Sequence, residues 1–201
     1  GEVNTRFGFT GDKLTEATTA FTKFADITGG DATVAVRNVS RAIESAGLEA
    51  DDYKIILDQL ATAAQASGIS ADTLAERLTT YGAQMRAAGY DTSDTIAMLA
   101  SWEKEGVNTE TAITGIRKAL ANFGKDGKNA KEELSALIDK IKSAPDDTAA
   151  AEIALNAFGN KAGSELANDI RSGRFEFEAF TETIANSAGA VENTFNETQS
   201  G

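Results

Sequence analysis

Ser67-Gly68-Ile69-Ser70, Ala88-Gly89-Tyr90-Asp91 and Glu105-Gly106-Val107-Asn108 are three copies of one punctuation mark, and Ala46-Gly47-Leu48-Glu49 is a weaker copy upstream. In each, Gly can take the left-handed position that ends a helix, and the apolar residue after it can fold back on the last turn. The next residue in the three strong copies is Ser, Asp or Asn, each a good N-cap, and Asp72, Asp94 and Glu110 then fall in the first turn of the following helix. The four glycines lie 21, 21 and 17 residues apart. That is too short for a two-helix repeat of about 34 residues and suits one helix plus one tight turn. The repeat unit is a single helix, and Gly47, Gly68, Gly89 and Gly106 are expected to be structural turns.

Outward from this stretch, the apolar spacing stays helical. Leu14, Ala17, Phe21 and Phe24 mark a helix over about 12–27, and Val36, Val39 and Ile43 another over about 32–46. Tyr53, Ile56, Leu57 and Leu60 form the stripe of 50–66, and Leu74, Leu78, Tyr81 and Met85 that of 71–87. The helix at about 92–104 is apolar on two sides: Ile96, Leu99 and Ala100 on one, Met98 and Trp102 on another. Such a helix is either sandwiched or carries a contact, which makes Trp102 and Met98 candidate contact residues as well as core. Ile113, Ile116, Leu120 and Phe123 complete a helix over 109–123.

Residues 124–129, Gly-Lys-Asp-Gly-Lys-Asn, are the clearest break in composition. They divide the chain into an N-terminal helical array, 1–124, and a C-terminal helical section, 125–201, expected to pack on the first as one domain. The loop lacks the strand and spacing of a P-loop. Leu134, Leu137, Ile138 and Ile141 mark a helix that stops before Pro145, because the residue before Pro avoids helical torsions. Asp146 and Asp147 open the next helix, where a first turn attracts Asp for dipole reasons without any metal. Phe158 to Gly163 read as a second tight junction, with Gly159 and Gly163 as turn glycines. Phe177, Phe180, Ile184, Ala188, Val191 and Phe195 then give one last helix whose stripe runs across Gly189, and the alternation Phe175-Glu176-Phe177-Glu178 is kept helical. The fold class that results is all-α, about ten short antiparallel helices joined by tight Gly-containing turns.

Composition restricts the chemistry. A chain of 201 residues, 41% hydrophobic, can bury a substantial core in one domain or two. It opens at Gly1-Glu2-Val3 in polar, uncommitted sequence without Met, and is expected to be a piece of something longer. No run approaches the roughly 18 apolar residues of a membrane span, so this piece is expected to be soluble, without membrane contact. Absence of Cys removes disulfides and thiol nucleophiles, and absence of His removes imidazole bases, His triads and His zinc sites. No catalytic, metal or cofactor residues are assigned. A formal charge of -12 argues against nucleic-acid binding, which needs a basic patch. The Lys-rich run Lys125, Lys128, Lys131, Lys140 and Lys142 is interleaved with Asp126, Glu132, Glu133 and Asp139 and reads as a solvated helix face.

From Gly106 to Phe195 the residues carry a resemblance. Ala-Ile-Thr-Gly-Ile-Arg-Lys-Ala-Leu (112–120) is followed by Leu-Ile-Asp-Lys-Ile-Lys (137–142) and Ala-Phe-Gly-Asn-Lys-Ala-Gly-Ser-Glu-Leu-Ala (157–167). Ile-Arg-Ser-Gly-Arg-Phe (170–175), Asn-Ser-Ala-Gly-Ala-Val (186–191) and Thr-Phe (194–195) complete the order. This string resembles the core region of phage tail tape measure proteins of siphoviruses and prophages, and the likeness in style extends upstream to about residue 30. The resemblance implies a structural protein of the tail that helps set tail length, occupies the tube lumen and leaves ahead of the DNA, after assembly in the host cytoplasm. It implies tail-tube and tail-assembly proteins as partners, self-association among the further contacts, and no catalytic residues in this region. Two other classes stay open: a helical-array module that binds another protein, and a fragment of a cell-wall-degrading enzyme using carboxylate chemistry. A strongly perturbed Glu in a deep pocket would favour the enzyme.

Length matters to the tail role. Threaded as one helix, the chain would span about 300 Å, whereas folded compactly its radius of gyration is near ~17 Å. The short turns favour the folded form when the chain is unconfined.

Overall fold

A computed structural model describes residues 1–124, 129–175 and 178–200 of the chain. Among the described residues there are twelve α-helices and one 3-10 turn, Ala50–Asp52, with no strand. In order they are α1 (Glu2–Phe7), α2 (Gly11–Thr28), α3 (Ala32–Ser45), α4 (Tyr53–Ser67), α5 (Ala71–Ala87) and α6 (Thr92–Glu105). They continue with α7 (Thr109–Gly124), α8 (Ala130–Lys142), α9 (Asp147–Phe158), α10 (Asn160–Arg171), α11 (Thr181–Ala185) and α12 (Ala190–Ser200). The all-α class follows from the sequence pattern, but the count exceeds about ten at both ends. The opening residues, read as uncommitted, form α1, which buries Val3, 7% exposed, and is followed by the buried Phe9, 6% exposed. The single last helix is two, α11 and α12, since Gly189 at φ 81° interrupts the stripe between them. Phe175 is not helical, and Phe177 lies outside the described residues, as do 125–128 of the expected loop.

Local signals set the helix ends. Gly47, Gly89 and Gly106 have φ of 71°, 94° and 75°. In each case the following amide reaches a carbonyl five residues back: Leu48 to Ile43 at 3.0 Å, Tyr90 to Met85 at 3.0 Å and Val107 to Trp102 at 2.9 Å. These bonds satisfy carbonyls that a helix C-terminus would otherwise leave open. At Gly68, φ is 78° and its own amide bonds Ala64 O at 2.9 Å. The next helices start on side-chain caps, with Ser70 Oγ accepting from Thr73 N at 3.1 Å and Asn108 Oδ1 from Thr111 N at 2.9 Å. Asp31, Asn129 and Asp146 cap α3, α8 and α9 in the same way. A Cβ at Gly68 would meet nothing within 4 Å, so a substitution there is opposed by backbone conformation alone. Gly68→Val is expected to destabilise by at least ~1 kcal/mol, the penalty of a left-handed β-branched residue. An unchanged urea midpoint would refute the turn's role.

The chain forms two compact units, and their boundary is not at residue 124. The first holds Gly1–Ala83, Thr92–Ala100 and the chain from Glu178 on; the second holds Gln84–Asp91 and the described residues of Ser101–Phe177. The C-terminal helix belongs to the first unit because it packs on α2 and α4.

In the first unit, α2, α3 and α4 pack on one another and α1 on α2 and α3. Phe21, Phe24, Val36, Val39, Ile43, Ile56, Leu57 and Leu60 are all at most 4% exposed. Each such side chain contributes roughly 1.5–3 kcal/mol when fully buried. Phe7, Phe9, Phe21 and Tyr53 form an aromatic cluster with neighbouring centroids 5.5–6.1 Å apart. Ser45 Oγ, at the end of α3, donates to Thr79 O of α5 at 2.6 Å. Gly82 on α5 lets that approach happen, as an added Cβ would sit 3.3 Å from Ser45 Oγ.

In the second unit, α7, α8, α9 and α10 pack on one another. Ile113, Ile116, Leu134, Ile141, Phe158, Leu166 and Ile170 form its core, none more than 2% exposed.

Candidate functional site

The densest local structure in the second unit is built by the stretch 157–167. Phe158 ends α9, and Gly159 alone joins it to α10, with φ 90° and ψ 168°, a conformation open only to Gly. From there Ala162, Leu166, Ala167 and Ile170 are buried on one side of α10, as the 3.6-residue period requires. Gly163 is not a turn residue: it lies inside α10, and the expected junction ends at Gly159. Its role is proximity. A Cβ there would stand 2.7 Å from Leu155 Cα, 2.8 Å from Leu155 N and 2.9 Å from Ala154 O, so α9 and α10 meet backbone to backbone. On α7, Gly115 faces Leu166, Phe158 and Ala162, with Leu166 nearest. Two small residues thus seat three helices closer than side chains would permit.

Arg171, the last residue of α10, ties the block to α8. Its Nη1 donates to Ala144 O at 2.7 Å and toward Lys142 O and Ile141 O at 3.3 and 3.4 Å. Its Nε donates to Asp147 Oδ1 at 3.1 Å. A cation on the open carbonyls of a helix C-terminus is favoured by charge and by hydrogen bonding together. The side chain is 24% exposed, so the interaction is screened only in part. Arg171→Ala is expected to destabilise by about 1–2 kcal/mol, by analogy with other helix-terminal contacts. A urea titration reads this directly, and Arg171→Lys, which lacks the planar fork, should recover less than half.

The candidate contact residues are placed in the interior. Trp102 is fully buried and Met98 is 2% exposed, so neither is an exposed binding anchor. Trp102 stacks on Phe175, centroids 5.6 Å apart and planes 19° apart. The reason the pattern looked two-sided is that both faces of α6 are covered: Ile96, Leu99 and Ala100 are also fully buried.

The hollows on the surface offer little chemistry. In the first unit one, of about 360 Å³, is lined by Ile27, Thr28, Ala61, Gln65, Ile69 and Thr194 among others, with no charged residue. A second, about 540 Å³, brings Arg6, Arg41 and Glu44 to its rim. A third, about 430 Å³, contains two carboxylates, Asp58 and Glu192. Both are engaged: Asp58 accepts from Gly189 N and Val191 N, each at 2.9 Å, and Glu192 accepts from Lys23 Nζ at 2.8 Å. Among the described residues, Asp169 is the charged side chain that is buried, 6% exposed. Burial pushes its carboxyl above the usual range against the pull of Arg174, whose Nη2 lies 2.9 Å away. It lines none of these hollows and serves as the partner of Arg174. No group of three or more metal-ligating side chains is assembled among the described residues, and no described helix is long and apolar enough to cross a membrane.

Sequence reasoning missed Gly115, Asp58 and Arg171. Gly115 carried a signal, since a helix-interior Gly costs about 1 kcal/mol relative to Ala and invites a packing reason. Asp58 and Arg171 carried none, because their partners are distant in the chain.

No curated protein and no solved structure matches this chain. The model of one family, described as phage-related minor tail protein, matches residues 3–164, which takes in both of the closely packed glycines, Gly115 and Gly163, and most of the helices of both units. By that match the chain belongs to the phage-related minor tail protein family.

Proposed function

We propose that the chain is a region of a tape measure protein, with a structural and not a catalytic role in the tail. In this reading it lies in the lumen of the tail tube, helps set tail length, contacts tube and assembly proteins, and is put in place in the host cytoplasm. The observation that carries the proposal is the ordered string of motifs between residues 112 and 195, found in a chain of a phage tail family. Packing adds support, because the motif residues converge on one physical role: Gly163 brings α9 and α10 to backbone distance, and Gly115 seats α7 against side chains of both. Such packing favours a compact module over a continuous extended rod whenever the chain is unconfined.

In-frame deletion of residues 30–196 from the parent gene, with tails measured by electron microscopy, tests this. As a continuous helix the deleted segment would span ~250 Å. A folded module that contributes to length should shorten tails by much less than that. Shortening by the full helical length would mean extended tape and overturn the folded-module reading. Normal tails of unchanged length and number would overturn a tape measure role for this region.

A further inference from the structure

The C-terminal helix of the first unit is held differently from its neighbours. α4 buries seven residues along its length, from Tyr53 to Ser67. Of the described side chains of α12, Val191 is the buried one, at 6% exposure, with Ala190, Thr194 and Phe195 half-buried. Its attachment to α2 and α4 adds polar contacts to this limited apolar one. Asp58 on α4 accepts from Gly189 N and Val191 N across 131 and 133 residues of sequence, capping α12 from a distance. Lys23 on α2 bridges Glu192 at 2.8 Å, and its ammonium lies 5.1 Å from the Phe195 ring centroid. Hollows of about 360 and 430 Å³ open beside the helix, one reached by Ala190 and Thr194 and the other by Val191 and Glu192. Gly189, at φ 81°, supplies a joint at its start.

We infer that α12 is a releasable strap, which leaves the seam between α2 and α4 as one unit, pivoting at Gly189, while the rest of the first unit stays folded. Its docking buries one α12 side chain, where α4 buries seven residues, and elements with few buried apolar contacts open at the low end of the stability range. Release uncovers Ala20, Leu57 and Ala61 on the seam and frees the chain from residue 190 onward to extend. This holds whether or not the region is a tape measure, since it rests on the α2–α4–α12 geometry alone.

Hydrogen exchange followed by mass spectrometry on the full chain tests the strap. Amides of 192–198 should share one opening constant, about tenfold or more larger than that of α4. Asp58→Ala should speed exchange of 189–198 by about 5- to 30-fold, the factor that corresponds to loss of a cap, and leave 53–67 unchanged. Asp58→Asn keeps one acceptor oxygen and turns an NH2 donor toward the other amide, so exchange of 189–198 should fall between that of the parent and that of Asp58→Ala. Three results would overturn the inference: protection that fades gradually from the C-terminal end, as simple fraying gives; α12 protected as well as α4; or Asp58→Ala loosening or unfolding the whole unit at once.

Discussion

Gly163→Ala is expected to destabilise the second unit by about 3 kcal/mol, although Ala is the better helix former by roughly 1 kcal/mol. The new methyl would stand 2.7–2.9 Å from Leu155 Cα, Leu155 N and Ala154 O. These are backbone atoms, so relief requires α9 and α10 to move apart along their whole contact, disturbing Phe158, Ala162 and Leu166 together. Gly115→Ala is the informative comparison, because its nearest obstacle is the end of the Leu166 side chain, which can change rotamer. It should cost less, under about 1.5 kcal/mol. Urea titrations of both variants with unchanged m-values would provide the numbers. A Gly163→Ala protein as stable as the parent would show that the two helices do not meet at backbone distance.

Trp102→Ala should have an effect of similar or larger size, about 3–5 kcal/mol, because it empties a fully buried indole site. The stack on Phe175 adds to that, as aromatic pairs contribute about 0.5–1.5 kcal/mol beyond area burial. Trp102→Phe, which keeps a ring against Phe175, should lose less than half as much. Trp102 is the single Trp of the chain, so the parent's emission reports the same site without mutation. It should be blue-shifted in the folded protein and move to the red as urea unfolds the second unit. Emission already typical of water before any urea is added would contradict the burial and return Trp102 to the role of an exposed contact.

Most of the helical elements were legible in the sequence, though α1 and the break between α11 and α12 were not. Stripes at helical spacing, Ser70 and Asn108 as caps, and the Gly-apolar-cap junctions all act within about one turn of the backbone, so their physics is readable over a few neighbouring residues. The sequence also determined what chemistry is missing, since no His and no Cys occur in the chain. The rest depends on contacts between distant segments. Gly159 and Gly163 sit four residues apart in one motif, yet one is a joint and the other a packing surface. Only the approach of α9 tells them apart, because the same absent side chain serves conformation in one place and distance in the other. Trp102 and Met98 became interior residues because other segments cover both faces of α6, a fact no single-helix pattern contains. The C-terminal helix joined the first unit through Asp58, 131 residues before Gly189. That pairing depends on the chain's path in space and not on its local preferences, which is why a division near residue 124 looked natural in sequence and the folded protein does not make it.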